Sequence, residues 1–412
     1  MKFKLTTLEK KWILYDIGNS AFIMLCTTII PIYFNALAES QNLSSVDYLA
    51  YWGYASSVVT LIVVFLGPVL GAIADQKSRK RPLFLITMLV GAVGCTALGF
   101  AGTWLMFLVI FIIAKVGYST SLIFYDSMLT DITAEDRMDS VSSSGYAWGY
   151  IGSCIPFGIC LVLVLGSGSI GLSMTVAMAI AFLITAIWWV ACGLPIYKNY
   201  QQIHFVEKKE HALSSAFSQL WLSLKEISKD KRIFFFLLAF FCYIDGVYTI
   251  IDMATAYGSA LGLDSTGLLL ALLVTQIVTF PSTIIFGRLS RKFNAAKLIP
   301  ICIVSYMGVV IFAFFMNSQV HFWILAVWVG MFQGGVQSLS RSYFAKIIPP
   351  EKSSEYFGIL DICGKGASFI GTTLIGIISQ ATGSVNNGIL VLIVLFIIGL
   401  FLFFKAAKYH RA

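Results

Sequence analysis

Long apolar runs alternate with short polar loops along the whole chain. Runs of about eighteen or more apolar residues with few charges are typical of helices that cross a membrane. The composition agrees, because 58% of the residues are hydrophobic and only 12% are charged, which soluble domains do not approach. The pattern predicts an all-α polytopic membrane protein with twelve transmembrane helices, near residues 12–36, 49–74, 83–103, 104–130, 141–165, 174–195, 233–257, 263–287, 297–317, 320–345, 356–380 and 386–406.

Cationic residues concentrate in the loops and tails on one side of these helices. Because cytoplasmic loops retain lysine and arginine, the bias indicates that both termini are cytoplasmic. We expect a plasma membrane location, the inner membrane in a bacterium. The net charge of +8 is then a topology signal and gives no reason to expect nucleic acid. The cations that give the cytoplasmic bias are Lys2, Lys4, Lys10, Lys11, Lys77, Arg79, Lys80, Arg81, Arg288, Arg291, Lys292, Lys297, Lys405, Lys408 and Arg411.

The second half of the chain repeats features of the first half at a constant offset. The loop after the second helix carries Asp75, and the matching loop after the eighth carries Arg291, 216 positions later. Glu135 after the fourth helix and Glu351 after the tenth have the same offset, and agreement of two loops disfavours a chance match. Two six-helix halves of this kind are parallel repeats, which are typical of secondary transporters that bind solute between the halves.

The predicted domains are an N-terminal six-helix bundle at 1–196, a cytoplasmic linker at 197–232 and a C-terminal six-helix bundle at 233–412. Within the linker, Ser214 and Ser215 can cap a helix start. Apolar residues recur there at helical spacing, at Leu213, Phe217, Leu220, Leu224 and Ile227. We expect an amphipathic helix that lies on the cytoplasmic membrane face or docks on the cytoplasmic mouth of the bundles.

The seventh helix carries a carboxylate, Asp245, near its middle. Such a group costs roughly 2.5–3.5 kcal/mol on insertion scales, so it persists where a partner or a water-filled cavity compensates it. We therefore interpret Asp245 as functional. The alternative is a structural ion pair with a basic residue of a neighbouring helix. Gly246 follows directly and would let the helix open beside the acid, as transporter helices do at a midplane site.

The sequence Gly71-x-x-x-Asp75 with a basic cluster resembles the loop signature of the major facilitator superfamily. Further stretches resemble the branch that contains the vacuolar amino-acid effluxers of autophagy and their bacterial relatives, namely residues 12–20 (WILYDIGNS), 124–126 (FYD), 245–246 (DG) and 333–342 (QGGVQSLSRS). The resemblance covers nearly the whole chain, and it implies the major facilitator fold and the efflux of small solutes, amino acids foremost. The chain departs from the signature at Ser78, where glycine is usual, and at Arg291, where the second aspartate would stand.

By the same resemblance, the loop motif locks one conformational state of the transporter. Its residues here are Gly71, Asp75, Arg79, Lys80, Gly287 and Arg291. Physically, Asp75 can accept hydrogen bonds from the N-terminal end of a nearby helix and pair with a cation. The alternative for Asp75 is a surface acid among solvated cations, where ion pairs contribute little.

In the superfamily arrangement, the first, fourth, seventh and tenth helices line a central cavity. The predicted substrate or coupling residues on these helices are Asn19, Lys115, Tyr118, Asp245, Asp252, Gln333 and Gln337. Lys115 and Asp245 would bracket a zwitterion, with the glutamines supplying donors and acceptors. Burial favours a protonated acid and a nearby ammonium favours the carboxylate, so gaining or losing Lys115 would couple transport to a proton. The alternative is a permanent Lys115–Asp245 ion pair that joins the halves.

Nearer the cytoplasmic end, we expect a gate that pairs across the halves, made by Asp16, Asp126, Arg341, Asp361 and Lys365. The last two are four residues apart, so an internal ion pair is their simpler interpretation. Snorkelling towards the interface is the alternative for the others. We assign the glycines of the fifth and eleventh helices to close helix packing and leave them out of the binding site, namely Gly145, Gly149, Gly152, Gly364, Gly366 and Gly371.

These features predict a secondary active transporter that exports a small polar, amino-acid-like solute by alternating access coupled to protons. No Walker-type sequence is present, so a primary pump would need a separate ATP-binding subunit. A membrane-embedded enzyme is disfavoured because the eight cysteines lack metal-ligand spacing and all histidines lie in loops, tails or at a span end, at His204, His211, His321 and His410. We expect a monomer without a cofactor, whose partners are the solute, a coupling proton and the bilayer. The alternatives are a lipid-like or other amphipathic solute, and a receptor or scaffold on the same fold.

Overall fold

The helices follow the apolar runs of the sequence. The structure is a computed structural model that describes residues 3–207, 216–260 and 262–409, with the backbone alone at residues 32, 45–46, 48–49, 216–220, 255–256, 259–260, 265–266, 269, 365–369 and 385. Its α-helices are α1 (Thr7–Thr27), α2 (Ile29–Ser40), α3 (Ser45–Ala74), α4 (Lys80–Ala97), α5 (Trp104–Ser127), α6 (Leu129–Ile132), α7 (Met138–Leu165), α8 (Met174–Asn199), α9 (Ala216–Lys229), α10 (Lys231–Ala260), α11 (Ser265–Leu289), α12 (Ala295–Phe314), α13 (Gln319–Ile347), α14 (Ser353–Thr382), α15 (Val385–Ile389) and α16 (Val391–Lys408).

Among the described residues, eleven helical stretches are long and apolar enough to cross a membrane. The twelfth long helix is α14, which has 30 residues. Its apolar stretch among the described residues is shorter, at Ile370–Thr382. Many large apolar side chains are exposed on the helices, including Val162, Phe401 and Phe65. Apolar exposure on this scale suits a surface that faces lipid. The prediction of an all-α polytopic membrane protein is confirmed.

The first membrane span is interrupted at Thr28, which separates α1 from α2. Thr28 has φ −127° and ψ −77°, outside the helical region, and its hydroxyl donates to the carbonyl of Met24. Pro31 explains the break, because proline lacks an N–H and its ring clashes with the carbonyl four residues earlier, that of Thr27.

The chain divides into two compact units. The first unit comprises Met1–Ile132, Trp148–Glu210 and Glu351–Gly358, and the second comprises Thr133–Ala147, His211–Pro350 and Ile359–Ala412. The start of α14 thus belongs to the first unit, and the start of α7 belongs to the second. These two short segments correspond to each other at the 216-residue offset of the repeat.

Each unit contains a buried tyrosine that connects its first membrane span to its fourth. In the first unit, the Tyr15 hydroxyl of α1 lies 2.7 Å from Ser121 Oγ of α5. In the second unit, the Tyr243 hydroxyl of α10 lies 2.7 Å from Ser340 Oγ of α13. Burying these hydroxyls as a bonded pair avoids the cost of leaving a polar group unsatisfied, so each pair fixes the rotation of two helices.

The linker contains α9, where the sequence predicts an amphipathic helix. The predicted positions Leu213, Phe217 and Leu220, and the cap residues Ser214 and Ser215, lie outside the described residues or side chains. Of the remaining two, Ile227 is buried and Leu224 is exposed, as is Trp221. The location of α9 on a membrane face stays a prediction.

Two glycines let α7 approach α1 closely within the first unit. A β-carbon on Gly152 would come within 2.6 Å of Ile17 Cγ2, and one on Gly149 within 2.9 Å of Ser20 Oγ. Real side chains do not tolerate the first distance, so an alanine would force the helices apart. Close packing is therefore the role of these two glycines.

We expect Gly152→Ala to lower the thermal unfolding midpoint in detergent, since overpacking costs about 1–3 kcal/mol. Gly158 lies on the same helix with open space around its β-carbon position. Gly158→Ala should therefore leave the midpoint unchanged or raise it, because alanine favours helix over glycine by about 1 kcal/mol. Equal midpoints for the two variants would contradict the packing role.

Candidate functional site

The first polar cluster lies in the first unit, where α3 ends. Asp75 caps α3, and its two carboxylate oxygens accept from the backbone N–H groups of Ser354 and Glu355, each at 2.9 Å. These donors belong to the first turn of α14, where free N–H groups and the helix dipole favour an anion. Gly71 permits the approach, because a β-carbon there would collide with the Ser354 carbonyl.

Lys80, at the start of α4, is the buried cation of this cluster and is 0% exposed. Its ammonium donates to Ser353 Oγ at 2.8 Å and lies 3.7 Å from Asp75 Oδ1 and 3.6 Å from Asp131 Oδ2. Burial raises the pKa of Asp75 above its ordinary value, and the Lys80 ammonium and the α14 N–H groups oppose that rise. The ionised form of Asp75 therefore depends on Lys80.

Asp131, which the sequence analysis missed, is the second buried carboxylate. It accepts from the Tyr200 hydroxyl and from the backbone N–H of His204 at 3.0 Å, and His204 Nδ1 lies 2.9 Å away. Burial, and then the Asp131 charge, raise the pKa of Tyr200 well above its ordinary value, so the hydroxyl stays protonated and donates. We call Asp75, Lys80, Asp131, Tyr200 and His204 the loop cluster.

Ser78 shows why the superfamily signature has glycine at this position. Its φ is 63°, in the left-handed region that glycine enters freely and other residues enter at a cost. Arg79, the next residue, is exposed and starts α4 without a side-chain cap. Neither residue contributes a side chain to the loop cluster.

The matching loop of the second unit uses a cation instead of an acid. Arg291 Nε donates to Ser140 Oγ at 2.9 Å, and Ser140 Oγ donates to the carbonyl of Gly287 at 2.9 Å. A β-carbon on Gly287 would lie 2.7 Å from Ser143 Cβ. This loop therefore contacts the first turns of α7, at the equivalent place in the repeat.

Arg341 of α13 also contacts the start of α7 within the second unit. It donates to Ser142 Oγ at 2.9 Å and to the Ser142 carbonyl at 3.0 Å, and its guanidinium lies 4.2 Å from the centre of the Tyr146 ring. Its predicted gate partners Asp16, which is buried, and Asp126, which is partly exposed, belong to the first unit. Their pairing with Arg341 stays a prediction.

The remaining gate residues lie on α14. Asp361 is partly exposed, and the side chain of Lys365 lies outside the described part of the chain. Their predicted ion pair is therefore untested.

The second cluster is built around Asp245 of α10, which is 0% exposed. Its Oδ1 accepts from the Thr249 hydroxyl at 3.2 Å and from the backbone N–H of Gly371 at 3.0 Å. Among the residues that the structure describes, no donor reaches the other oxygen, Oδ2, although that atom is buried. We call Asp245, Thr249 and Gly371 the buried acid site.

Two glycine expectations need correction at the buried acid site. The helix does not open at Gly246, since α10 is continuous from Lys231 to Ala260. A β-carbon on Gly246 would lie 2.5 Å from the Phe396 ring, so this glycine serves helix packing. Gly371, which the sequence analysis assigned to packing alone, contacts the acid directly, and a β-carbon there would lie 2.7 Å from Asp245 Oδ1.

A cavity of about 100 Å³ adjoins the buried acid site within the second unit. Thr249 lines it, together with Gln333 of α13, Gln276 of α11 and Tyr257 of α10. The rest of its wall is mostly apolar and comes from α10 to α16. A cavity of this size holds several waters or a small solute, since one water needs about 10–15 Å³ on the same measure.

The other predicted mid-depth residues are spread over both units. In the first unit, the ammonium of the partly buried Lys115 lies 5.0 Å from the centre of the Tyr118 ring. Asn19 donates to the carbonyl of Tyr15 on its own helix at 2.9 Å. In the second unit, Gln337 is buried and Asp252 is exposed. The pairing of Lys115 with Asp245 stays a prediction.

Sequence comparison relates this chain to transporters. The model of the family described as "Vacuole effluxer Atg22 like" matches residues 8–411. The uncharacterized MFS-type transporter YxiO of Bacillus subtilis is 40% identical over 405 residues, covering 97% of this chain and 95% of that protein. Autophagy-related protein 22 of Kluyveromyces lactis is 23% identical, covering 85% of this chain and 78% of that protein. Autophagy-related protein 22 of Cryptococcus neoformans is 26% identical over 297 residues, covering 66% of this chain and 50% of that protein.

Solved structures agree with the chain in fold. The major facilitator superfamily transporter FucP has a TM-score of 0.70 at 15% identity, covering 97% of both chains. The human organic anion transporter MFSD10 has a TM-score of 0.72 at 13% identity, covering 96% of this chain and 98% of that one. Both show the twelve-helix major facilitator fold, and that prediction is confirmed.

We expect Lys80→Met to lower the thermal unfolding midpoint strongly, because it removes the buried ammonium that lies between the carboxylates of Asp75 and Asp131. Removing one partner of a buried pair costs about 3–5 kcal/mol. Adding Asp131→Asn should recover part of the loss, and Lys77→Met, at an exposed lysine of the same loop, should have little effect. A double variant no more stable than Lys80→Met alone would contradict this charge balance.

Proposed function

Because this chain belongs to the Atg22-like vacuole effluxer family, we propose that it is a secondary active transporter that exports a small polar, amino-acid-like solute, coupled to protons. The chain is an MFS-type transporter and not an enzyme. The solute, the direction and the coupling ion are the proposed part. The description of the family as vacuole effluxers supports efflux, and the polar groups on the membrane helices support the class of solute and the coupling to protons.

The observation that carries the proposal is Asp245 Oδ2, which is buried and has no donor among the described side chains. A carboxylate in the membrane whose second oxygen is buried without a donor is costly as an anion. A proton supplies the missing partner, and so does the ammonium group of a solute. Asp245 can therefore bind a proton in one part of the transport cycle and the solute's ammonium group in another. Proton-coupled exchange requires such alternation.

The cavity beside Asp245 offers the remaining recognition groups. The amides of Gln333 and Gln276 both donate and accept hydrogen bonds, so they suit a solute that carries groups of both kinds. Thr249 connects the cavity wall to the acid, because its hydroxyl donates to Asp245 Oδ1. The mostly apolar wall is the observation that favours the alternative, a lipid-like or other amphipathic solute.

In the first unit, Lys115 is the proposed partner for the negative end of the solute. Its ammonium faces the Tyr118 ring, an attraction of about 0.5–1 kcal/mol at exposed sites, which is weak enough to yield to a carboxylate. Alternating access would bring Lys115 and Asp245 to one solute from the two bundles, at 1–196 and 233–412. The remaining proposed binding residues are Asn19, Tyr118, Asp252, Gln333 and Gln337.

Alternating access also needs contacts that form and break at the ends of the helices. The bonds from the start of α14 to Asp75, and from the start of α7 to Arg291 and Arg341, suit this role because each joins a loop or a second helix to a helix start. We propose that they hold one state, together with the gate of Asp16, Asp126, Arg341, Asp361 and Lys365. On the positive-inside bias, these contacts and both termini face the cytoplasm, and the transporter is a monomer in the plasma membrane.

Asp245→Asn should abolish the stimulation of solute movement by an imposed proton gradient in proteoliposomes. Solute counterflow without a gradient should persist, because asparagine resembles the protonated acid in shape and charge. The measurement uses a panel of amino acids and an amphipathic solute, with Asp136→Asn, at an exposed loop acid, as the matched control. Gradient stimulation equal to wild type in Asp245→Asn would refute the coupling role.

Lys115→Ala should raise the KM of counterflow for an amino acid at least about ten-fold, since a charged hydrogen bond contributes about 1.5–3 kcal/mol. For the corresponding primary amine, which lacks the carboxylate, the KM should change little. Lys77→Ala, at an exposed lysine, is the control. An equal loss for both solutes would show that Lys115 maintains the structure without binding the carboxylate.

A further inference from the structure

The segment that follows α8 is bound along the α3–α4 turn within the first unit. Val206 donates to the Asp75 carbonyl at 2.8 Å, and the N–H of Lys77 donates back to the Val206 carbonyl at 3.3 Å. Gln202 Nε2 donates to the Ala74 carbonyl at 3.0 Å. We call residues 200–206 the strap. Its backbone is fixed on the same turn that supplies Asp75 to the start of α14.

The loop cluster beneath the strap has unequal numbers of buried charges. Asp75 and Asp131 are both buried, while Lys80 is the one buried ammonium that the described residues place within 4 Å of them. Lys80 lies almost midway, at 3.7 and 3.6 Å from the two acids. The charges therefore balance only if a second cation pairs with one of the acids.

His204 can supply that second cation. Its ring Nδ1 and its backbone N–H both lie within 3.0 Å of Asp131 Oδ1. An ionised carboxylate only accepts hydrogen bonds, so Nδ1 carries a proton in this arrangement. The His204 side chain is 34% exposed, so protons from the adjoining solution reach it, whereas the acids and Lys80 are shielded.

We propose that His204 is a positioning residue whose protonation tightens the contact between Asp75 and the first turn of α14. An imidazolium neutralises Asp131 and leaves the Lys80 ammonium to Asp75. Lys80 then holds Asp75 ionised, and the ionised carboxylate accepts more strongly from the N–H groups of Ser354 and Glu355 than a protonated one does. When His204 loses its proton, the two acids share Lys80 and the contact weakens. Acidity on this side of the membrane thus favours the state that the contact holds.

Other charged groups near His204 do not replace it. On its own segment, Tyr200 donates to the same carboxylate and stays neutral, and Glu207 is exposed. On the α3–α4 turn, the Lys77 ammonium lies 5.3 Å from the centre of the Phe205 ring. On α14, the Glu355 side chain is buried. Histidine is the side chain that changes charge between about pH 5 and 8.

The test is hydrogen–deuterium exchange of the peptide that contains Ser354 and Glu355, in detergent without solute, at about pH 6 and pH 8. Protection factors, which remove the intrinsic pH dependence of exchange, are compared. In the wild type, the protection factor of this peptide should be about three-fold higher at the lower pH. A change of this size corresponds to the free energy of a partly screened charge pair. His204→Gln should be insensitive to pH at the weaker level, and His204→Lys should be insensitive at the stronger level.

His321→Gln, at a histidine that packs on Phe312 in the second unit, is the matched control and should keep the wild-type pH dependence. Thermal unfolding of each variant verifies that it is folded. Equal wild-type protection at the two pH values, or a pH dependence that survives in His204→Gln, would overturn the proposal. Because the experiment involves no transport, its failure leaves the role of Asp245 standing.

Discussion

A charged or polar group inside a membrane protein must find a partner, because lipid offers none, and this constraint accounts for each cluster in the structure. Tyr15 and Tyr243 meet serines, and Asp131 meets the phenol and imidazole of the strap. Asp245 differs from these groups, because its buried oxygen Oδ2 has no donor among the described residues. A carboxylate oxygen buried without a donor is costly as an anion, and this cost is why we propose for Asp245 a partner that arrives and leaves.

Close approach of backbones is what makes these partnerships possible. The amide of Gly371 reaches Asp245, and Gly71 lets α3 approach the start of α14, only because neither position has a β-carbon. In membranes, small residues stabilise helix contacts through packing. Here two of them also set the positions of hydrogen-bond donors around carboxylates, so packing and polar chemistry depend on the same residues.

The sequence predicted the features that depend on composition and period. The apolar runs identified the long helices, and the repeat of Asp75 at Arg291 identified corresponding loops. The sequence did not predict the loop cluster. Asp131 aligns with Ile347 in the repeat, so the repeat gives no signal there, and Tyr200 and His204 lie in a loop whose path no periodicity indicates. Gly246 was misinterpreted because a glycine beside an acid looks the same whether it opens a helix or accommodates a ring such as that of Phe396. The pairing of Lys115 with Asp245 depends on the arrangement of distant helices, which local pattern does not determine.

The two repeated loops reach equivalent helix starts with opposite charges, and physical chemistry explains how both can do so. Asp75 accepts from backbone N–H groups, as an anion at the positive end of a helix should. Arg291 would be repelled by that same end, so it instead donates to the hydroxyl of Ser140, which passes a hydrogen bond on to Gly287. The first contact depends on the ionisation of an acid, on Lys80 and on the strap, whereas the second uses a guanidinium that stays charged at any physiological pH. Symmetry of fold is therefore combined with asymmetry of chemistry, and the proposal for His204 makes only the first contact sensitive to proton concentration.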